Sequence, residues 1–575
     1  MSSLQEYNVV ICGGGLAGLT LALQLRQNHP EIGITVIEKT VGPLPEAAHK
    51  VGESTVEIGA HYLSSVLGLK KYLEEKHLPK LGLRYFYGDS SKPFETRPEL
   101  GPSMFSPVPT YQLDRGILED DLREMVINAG VELHEGASLK EISVADGTAM
   151  NTVRIVQNEE EKSIQANWVV DAMGRRRYLQ AKLGLKKESP HSASSVWFRM
   201  KGKVTVDDLV LKSNTEWHDR NIEDRFYSTN HLMGLGYWVW LIPLSSGNTS
   251  VGIVTQNDLH DFVAYSRSYQ TSFRWLENHE PHLAKLLQGR EPIDFRKIKN
   301  YSYGSEQLFS ENGWSCVGEA GIFSDPFYSP GSDIIAISNT FTCNLIREDI
   351  KQDLTAEKVN QLNDFILKRM FPDQLSYYTW GYHTFGNTRI AASKFLWDTL
   401  YYWRVYAHAF MTGVFADFEK LSVFENHMRQ FRELNRSMQD EFGSLAQKTS
   451  GEAFQHVDLA RKKAFIESAI NLLTKPSESN FENHLQEQIK FLQKLKTSFQ
   501  QELESALPSN SFTPFADLFG NLSNSAKLKN RYNRFIAGIG NGVFLFAVRD
   551  TYINLAVRGK QRVHFGFLLR ILYPD

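Results

Sequence analysis

Cysteine is scarce. The chain has only Cys12, Cys316 and Cys343, so widely spaced that neither a metal-ligand spacing nor a disulfide framework arises. No metal site is therefore expected, and the usage fits a reducing cytoplasm. A charge excess is also lacking. The formal net charge of −3 excludes the strongly basic balance of a nucleic-acid-binding protein. No uninterrupted run of about 18 apolar residues occurs, so no membrane-spanning helix is predicted. Met1 to Glu6 lack the basic-then-apolar pattern of a secretory leader. Internal repeats and low-complexity tracts are absent too.

What is present is a large globular chain. At 575 residues it can form two or three domains around a shared core. Aromatics make up 12%, enough to line a pocket for a flat or apolar ligand as well as to fill a core. Asn8 to Cys12 reads as a buried strand, Leu16 to Gln27 as a helix, and Ile34 to Glu38 as the next strand. Between the first strand and the helix lies Gly13-Gly14-Gly15-Leu16-Ala17-Gly18. Glycine at 13 permits the tight turn, at 15 lets backbone approach a pyrophosphate, and at 18 lets helix and strand pack closely. The helix N-terminus then faces the phosphates, with Leu16 and Ala17 in its first turn. Glu38, about 20 residues after Gly18, is placed to accept from ribose hydroxyls, with Lys39 beside it.

Three later segments favour FAD over NAD. They are Leu113-Asp114-Arg115-Gly116, Val170-Asp171-Ala172-Met173-Gly174-Arg175, and Val317-Gly318-Glu319-Ala320-Gly321 followed by Asp325-Pro326. They resemble elements of the glutathione-reductase-type FAD fold, which implies flavin contacts from Arg115, Gly318, Glu319 and Asp325. In the last segment Glu319 stands where that fold normally carries Asp.

The remaining pattern gives an α/β architecture. A Rossmann-like FAD-binding domain over residues 1–190 resumes at 301–350. An antiparallel sheet over 191–300 forms the substrate region, and a helical domain covers 351–575. In the last, Phe481, Leu485, Ile489, Leu492, Leu495, Phe499 and Leu503 step by three or four along one stripe.

Within about residues 7 to 415 the chain resembles the flavin-dependent halogenases, and most of all those acting on pyrroles and phenols. Val51-Gly52-Glu53-Ser54-Thr55 matches their V-G-E-S segment, which puts Ser54 by the flavin. Trp238-Val239-Trp240-Leu241-Ile242-Pro243 matches W-x-W-x-I-P, and Pro79-Lys80-Leu81-Gly82 matches the stretch carrying the catalytic lysine. The resemblance implies that reduced FAD, supplied by a separate flavin reductase, makes hypohalous acid from O2 and halide. Lys80 receives it and delivers it to an aromatic substrate, free or held on an acyl or peptidyl carrier protein. Trp238 and Trp240 bar the substrate from the flavin.

Each assignment has a plainer rival. Lys80 could be one more solvated lysine beside Lys70, Lys71 and Lys76, and the tryptophans could simply be sheet core. One departure is specific to this chain. Relatives have S-T-G or S-S-G where it has Ser329-Pro330-Gly331-Ser332-Asp333, and the two backbone N–H groups there hold the halide. Proline has no N–H. Losing one charge-assisted bond of about 1.5–3 kcal/mol weakens halide binding about 10- to 100-fold. Asp333 adds repulsion if ionised. Gly331 and Ser332, at the next helix N-terminus, still serve the flavin and offer alternative halide amides. An aromatic hydroxylase, an isoprenoid reductase and a flavin-binding scaffold without turnover therefore stay open. The basic, apolar stretch Phe535 to Leu572 could dock a carrier protein or a lipid surface, or be a buried helix with a basic rim.

Overall fold

The computed structural model describes residues 7–45, 51–147, 149–446 and 456–505. The stretch Phe535 to Leu572 lies outside them.

The first sheet grows from the βαβ unit. Its six strands run in the order Phe309–Ser310, Trp314–Cys316, Trp168–Asp171, Asn8–Cys12, Gly33–Glu38, Glu132–Glu135. All but the first pair are parallel. The central strands are buried on both faces, which is why Val9-Val10-Ile11 and Val169-Val170 read as apolar runs and not as alternation. Helix Leu16–Asn28 covers one face and packs on helix Gly331–Ile350, where the Asn339 amide donates to the Ala17 carbonyl at 3.0 Å.

The second sheet has eight strands and is not confined to 191–300. Strands Leu83–Phe86, Glu99–Gly101 and His456–Asp458 extend it at one edge. Two of its pairings are parallel, so it is mixed. Its inner strands are buried on both sides, and alternation sorts their residues. Trp238, Trp240 and Ile242 join the large core shared with the flavin-type sheet. Tyr237, Val239 and Leu241 face a second core under helices Tyr269–His279 and Pro281–Leu287. The tryptophans are thus core residues of the sheet on the side that looks toward the dinucleotide turn.

The segment from Val51 is extended over its first six residues and helical only from Glu57. Gly52 has φ +92, a conformation that glycine adopts cheaply and that no helix contains. The C-terminal stripe behaves as the spacing predicts. Helix Phe481–Ser505 buries all seven stripe residues, and Phe499 meets Trp397 and Phe442 edge-on at 6.2 Å each. Phe499→Ala should therefore cost about 3–5 kcal/mol, read as a lower urea midpoint at unchanged m-value. A midpoint within error of wild type would show that this helix contributes little to the core.

Candidate active site

The dinucleotide turn is built so that side chains cannot enter it. Gly13 has φ +118, and a Cβ there would stand 2.4 Å from the Ala172 carbonyl oxygen. A Cβ on Gly18 would stand 1.9 Å from the Gly13 carbonyl oxygen. Gly15 caps helix Leu16–Asn28 without a side-chain hydrogen bond, so the first-turn amides face outward as donors. Both Glu38 oxygens accept backbone N–H groups, from Gly14 and Thr40, at 2.8 Å each. The carboxylate is therefore fixed at the strand end with acceptor capacity left over. Lys39 is exposed next to it. This cradle, an uncapped helix N-terminus and an oriented acid, fits the pyrophosphate and ribose of FAD.

The other predicted contacts converge on the same region. Gly318 packs against Ala17, and its N–H donates to Ser338 at 2.9 Å. Arg115 donates to the Val51 carbonyl at 2.7 Å and pairs with Glu119, fixing the 51–55 segment from behind. The Ser54 hydroxyl meets Thr229 at 2.9 Å. Glu319 pairs with Arg175 at 3.3 Å.

Asp325 is differently placed. Fully buried, it accepts from His191 (2.5 Å), Tyr301 (2.6 Å), Tyr382 (2.8 Å) and the Phe327 N–H (2.8 Å). It organises the loop from within, and it is not among the residues lining either cavity described below.

Two cavities flank this loop. The smaller is lined by Val51 to Ser54, Trp238, Trp240, Glu319, Ser329 and Gly331, among others. Trp238 donates to the Tyr382 hydroxyl at 2.8 Å and Trp240 to Ser250 at 3.1 Å, so both indoles are locked. The larger cavity, of about 410 Å³, contains Lys80, Glu57, Pro330 and Asp333, with Tyr377, Tyr378 and Phe395 on its apolar wall. The segments 51–57 and 329–333 pass from one cavity to the other and form the partition between them.

Lys80 is no surface lysine. It is 3% exposed, whereas the Lys71 side chain is 89% exposed in an ordinary helical pair with Glu75. The Lys80 ammonium donates to the Thr55 carbonyl at 2.6 Å. Burial pushes its pKa down to about 7, opposed by Glu57 and Asp333. The same burial pushes the Asp333 carboxyl up to about 7, against its bonds from Tyr402 and the Gly59 N–H. Asp333 stands in the larger cavity with Lys80, not in the smaller one with Ser329 and Gly331. Its charge is thus directed at the lysine, where the sequence suggested repulsion of a halide. Ile334 N–H makes the first bond of helix Gly331–Ile350, to the Pro330 carbonyl, so the amides of Gly331, Ser332 and Asp333 precede it.

Sequence reasoning did not single out Glu57, Tyr402 or Tyr382. Glu57 lies four residues past Glu53 of the V-G-E-S segment, and its place at a helix start was the available signal. Tyr402 and Tyr382 come from distant helices, and nothing local marks them.

A family model described as an FAD binding domain matches residues 6–254. A flavin-dependent halogenase of Dictyostelium discoideum is 28% identical over 368 residues, 58% of this chain and 59% of that protein. The chain is similar to flavin-dependent halogenases and spans about three-fifths of the length of the amoebal one. A 1H-pyrrole-2-carbonyl peptidyl-carrier-protein chlorinase of Pseudomonas fluorescens is 27% identical over 374 residues, 60% of this chain and 77% of that one. Among solved structures, halogenase PltM superimposes with a TM-score of 0.60 at 16% identity, covering 86% of this chain and 97% of its own. The chain therefore shares the fold of that structure, a Rossmann-like domain with a helical C-terminal region. Among its described residues no helix is long and apolar enough to cross a membrane.

Proposed function

We propose that this protein uses reduced FAD, O2 and halide to halogenate an electron-rich aromatic compound. The observation that carries this reading is the partition: locked tryptophans on one side, and a buried lysine in an aromatic-walled cavity on the other. Bound FAD supplies the reduction of O2 and the oxidation of halide. The chain's own residues do the rest. Gly13, Gly15, Leu16, Ala17 and Gly18 hold the pyrophosphate by backbone, and Glu38 with Lys39 beside it holds the ribose. Ser54, Arg115, Gly318 and Glu319 shape the flavin channel, and Asp325 stiffens it. Trp238 and Trp240 exclude the aromatic substrate from the smaller cavity. Lys80, near neutral pH partly an uncharged amine, accepts the oxidised halogen and presents it in the larger cavity. Reduced flavin comes from a separate reductase, since a second nucleotide fingerprint is not seen. The substrate enters free or on a carrier protein, as the name of the Pseudomonas relative describes for that enzyme.

The deciding experiment incubates the protein with FAD, a flavin reductase, O2, bromide and a panel of phenols, pyrroles and indoles. Products carrying a bromine isotope pattern support the reading. Products that gain only oxygen would replace it with an aromatic hydroxylase, the alternative that Pro330 favours.

The halide loop gives a further expectation. The halide is held by the amides of Gly331 and Ser332 alone, since Pro330 offers none. Pro330→Ser restores a donor, and the half-saturating halide concentration should fall about 10-fold or more. Wild type should prefer bromide, which is easier to desolvate and oxidise than chloride. Tight chloride use by wild type, unchanged in Pro330→Ser, would show that two amides already suffice.

A further inference from the structure

The larger cavity holds more carboxylate than ammonium. Glu57 opens helix Glu57–His61, Asp333 lies in the first turn of helix Gly331–Ile350, and Lys80 lines the same cavity. The other charged groups facing this space are spoken for. Asp398 is held by Lys394 and Tyr328 at 2.6 and 2.7 Å, and Arg461, at the far end, pairs with Asp458 at 3.0 Å. One ammonium cannot neutralise both acids, and Asp333 takes its hydrogen bonds from neutral groups.

Asp333 is also the better fixed. One oxygen accepts the Gly59 N–H at 2.8 Å, the other the Tyr402 hydroxyl at 2.6 Å, and Tyr402 in turn accepts the Ile58 N–H at 3.1 Å. Tyr402 ends helix Thr388–Tyr402 just before a π turn, Trp403–Ala407, that also brings Trp403 to the cavity. Each carboxylate oxygen keeps a lone pair for a ligand.

A buried carboxylate held by neutral donors in this cavity suits a ligand that can give up a proton to it. A hydroxyl on an aromatic ring does this. The N–H of a pyrrole or indole is far too weakly acidic. We propose that Asp333 is the base that takes the hydroxyl proton of a phenolic substrate in this cavity.

The step balances. The phenol O–H bond breaks, its proton goes to the Asp333 carboxylate, and phenolate forms. A ring carbon ortho or para to the oxygen then attacks the halogen that the Lys80 amine took from hypohalous acid with release of water. The carbon–halogen bond forms, the nitrogen–halogen bond breaks, and the lysine nitrogen takes the proton from Asp333, which restores amine and carboxylate. The ring C–H proton passes to the phenolate oxygen. Overall, phenol and hypohalous acid give halophenol and water. Burial raises the Asp333 carboxyl toward the phenol range, which improves the match between base and acid. Tyr377, Tyr378, Phe395 and Phe465 make the remaining wall apolar and leave room for a chain or second ring on the phenol.

The last step rests on the halogenase reading, but the proton transfer does not. It is therefore tested without halide or oxygen, on the FAD-loaded full chain. The probe is 4-hydroxyazobenzene, whose neutral and ionised forms differ in colour. The buffer is set about one unit below its own pKa, where about a tenth ionises in free solution. The difference spectrum should show the probe bound mostly as phenolate by wild type and mostly neutral by Asp333→Asn, with FAD content equal. The methyl ether should bind at least about 10-fold more weakly than the phenol. In turnover with bromide, Asp333→Asn should lose about 100-fold or more in kcat/KM for a simple phenol, and much less for a phenol already ionised at the assay pH. A neutral bound probe in wild type, or equal ionisation in Asp333→Asn, overturns the proposal. If the variant loses FAD, the wild-type spectrum and the ether comparison decide alone. A panel in which nothing is brominated overturns the halogenase reading and leaves the proton-transfer result standing.

Discussion

Lys80→Ala is expected to bind FAD, consume oxygen and generate hypohalous acid at the wild-type rate while losing at least about 100-fold in halogenated product, on the scale of a positioned catalytic group. The separation follows from where the side chain lies. Lys80 lines the larger cavity, the tryptophans line the smaller one, and the dinucleotide turn lines neither. Removing it leaves the oxidant-forming side intact. Oxygen uptake, a trap for free hypohalous acid and product mass together read the three quantities. A variant that forms product at the wild-type rate would remove Lys80 from the mechanism.

A pH dependence accompanies this result. Burial lowers the Lys80 pKa to about 7. The uncharged amine, which can take up halogen, predominates above that value and falls about tenfold for each unit below it. Product formed per O2 consumed should therefore decline as the pH drops through about 7. A flat ratio between pH values of about 6 and 8 would show that the ammonium form serves equally well.

Gly13→Val carries the second large effect, and it strikes the dinucleotide turn. The new Cβ would meet the Ala172 carbonyl oxygen at 2.4 Å, in a backbone conformation with φ +118 that side-chain-bearing residues rarely adopt. The oxygen belongs to backbone in the neighbouring strand connection and cannot rotate away. Relief requires moving the whole turn, and with it the amides that face the pyrophosphate. Strain of about 1–3 kcal/mol, added to the lost donors, should weaken FAD binding more than about 100-fold. Purified variant protein should then be nearly colourless at 450 nm, yet folded by circular dichroism. Replacement of Gly15 should act in the same direction through direct contact with the pyrophosphate. Stoichiometric FAD in Gly13→Val would show that the turn yields more than its packing suggests.

Much of this was legible because short-range chemistry dictated it. The glycine turn, Glu38 and the strands around them are set by backbone sterics within 30 residues, and their boundaries came within one residue of the observed ones. The tryptophans and Lys80 were found by motif, and the structure then separated Lys80 from Lys70, Lys71 and Lys76 by burial, a property that no local pattern encodes. The eight-stranded sheet was only half visible. Its strands Leu83–Phe86, Glu99–Gly101 and His456–Asp458 are short and join it from distant parts of the chain. The surroundings of Asp333 were hidden for a related reason. On the sequence it sits three residues from Pro330, but its carboxylate bonds to Gly59 and Tyr402, far away in the chain.

The edge strand His456–Asp458 carries a consequence for how such an enzyme can change. It pairs with Glu99–Gly101, and the chain that follows it, Leu459 to Ile470, forms the outer wall of the larger cavity. Part of the wall of the larger cavity is therefore contributed late in the chain, facing a space to which Glu57 and Lys80 come from early in it. A ligand filling that cavity should protect the 456–505 region from protease, and cleavage there should loosen substrate binding before it disturbs the flavin. Exchanging Leu459 to Ile470 between relatives would then reshape one wall of that cavity while leaving Glu57, Lys80 and the two tryptophans in place.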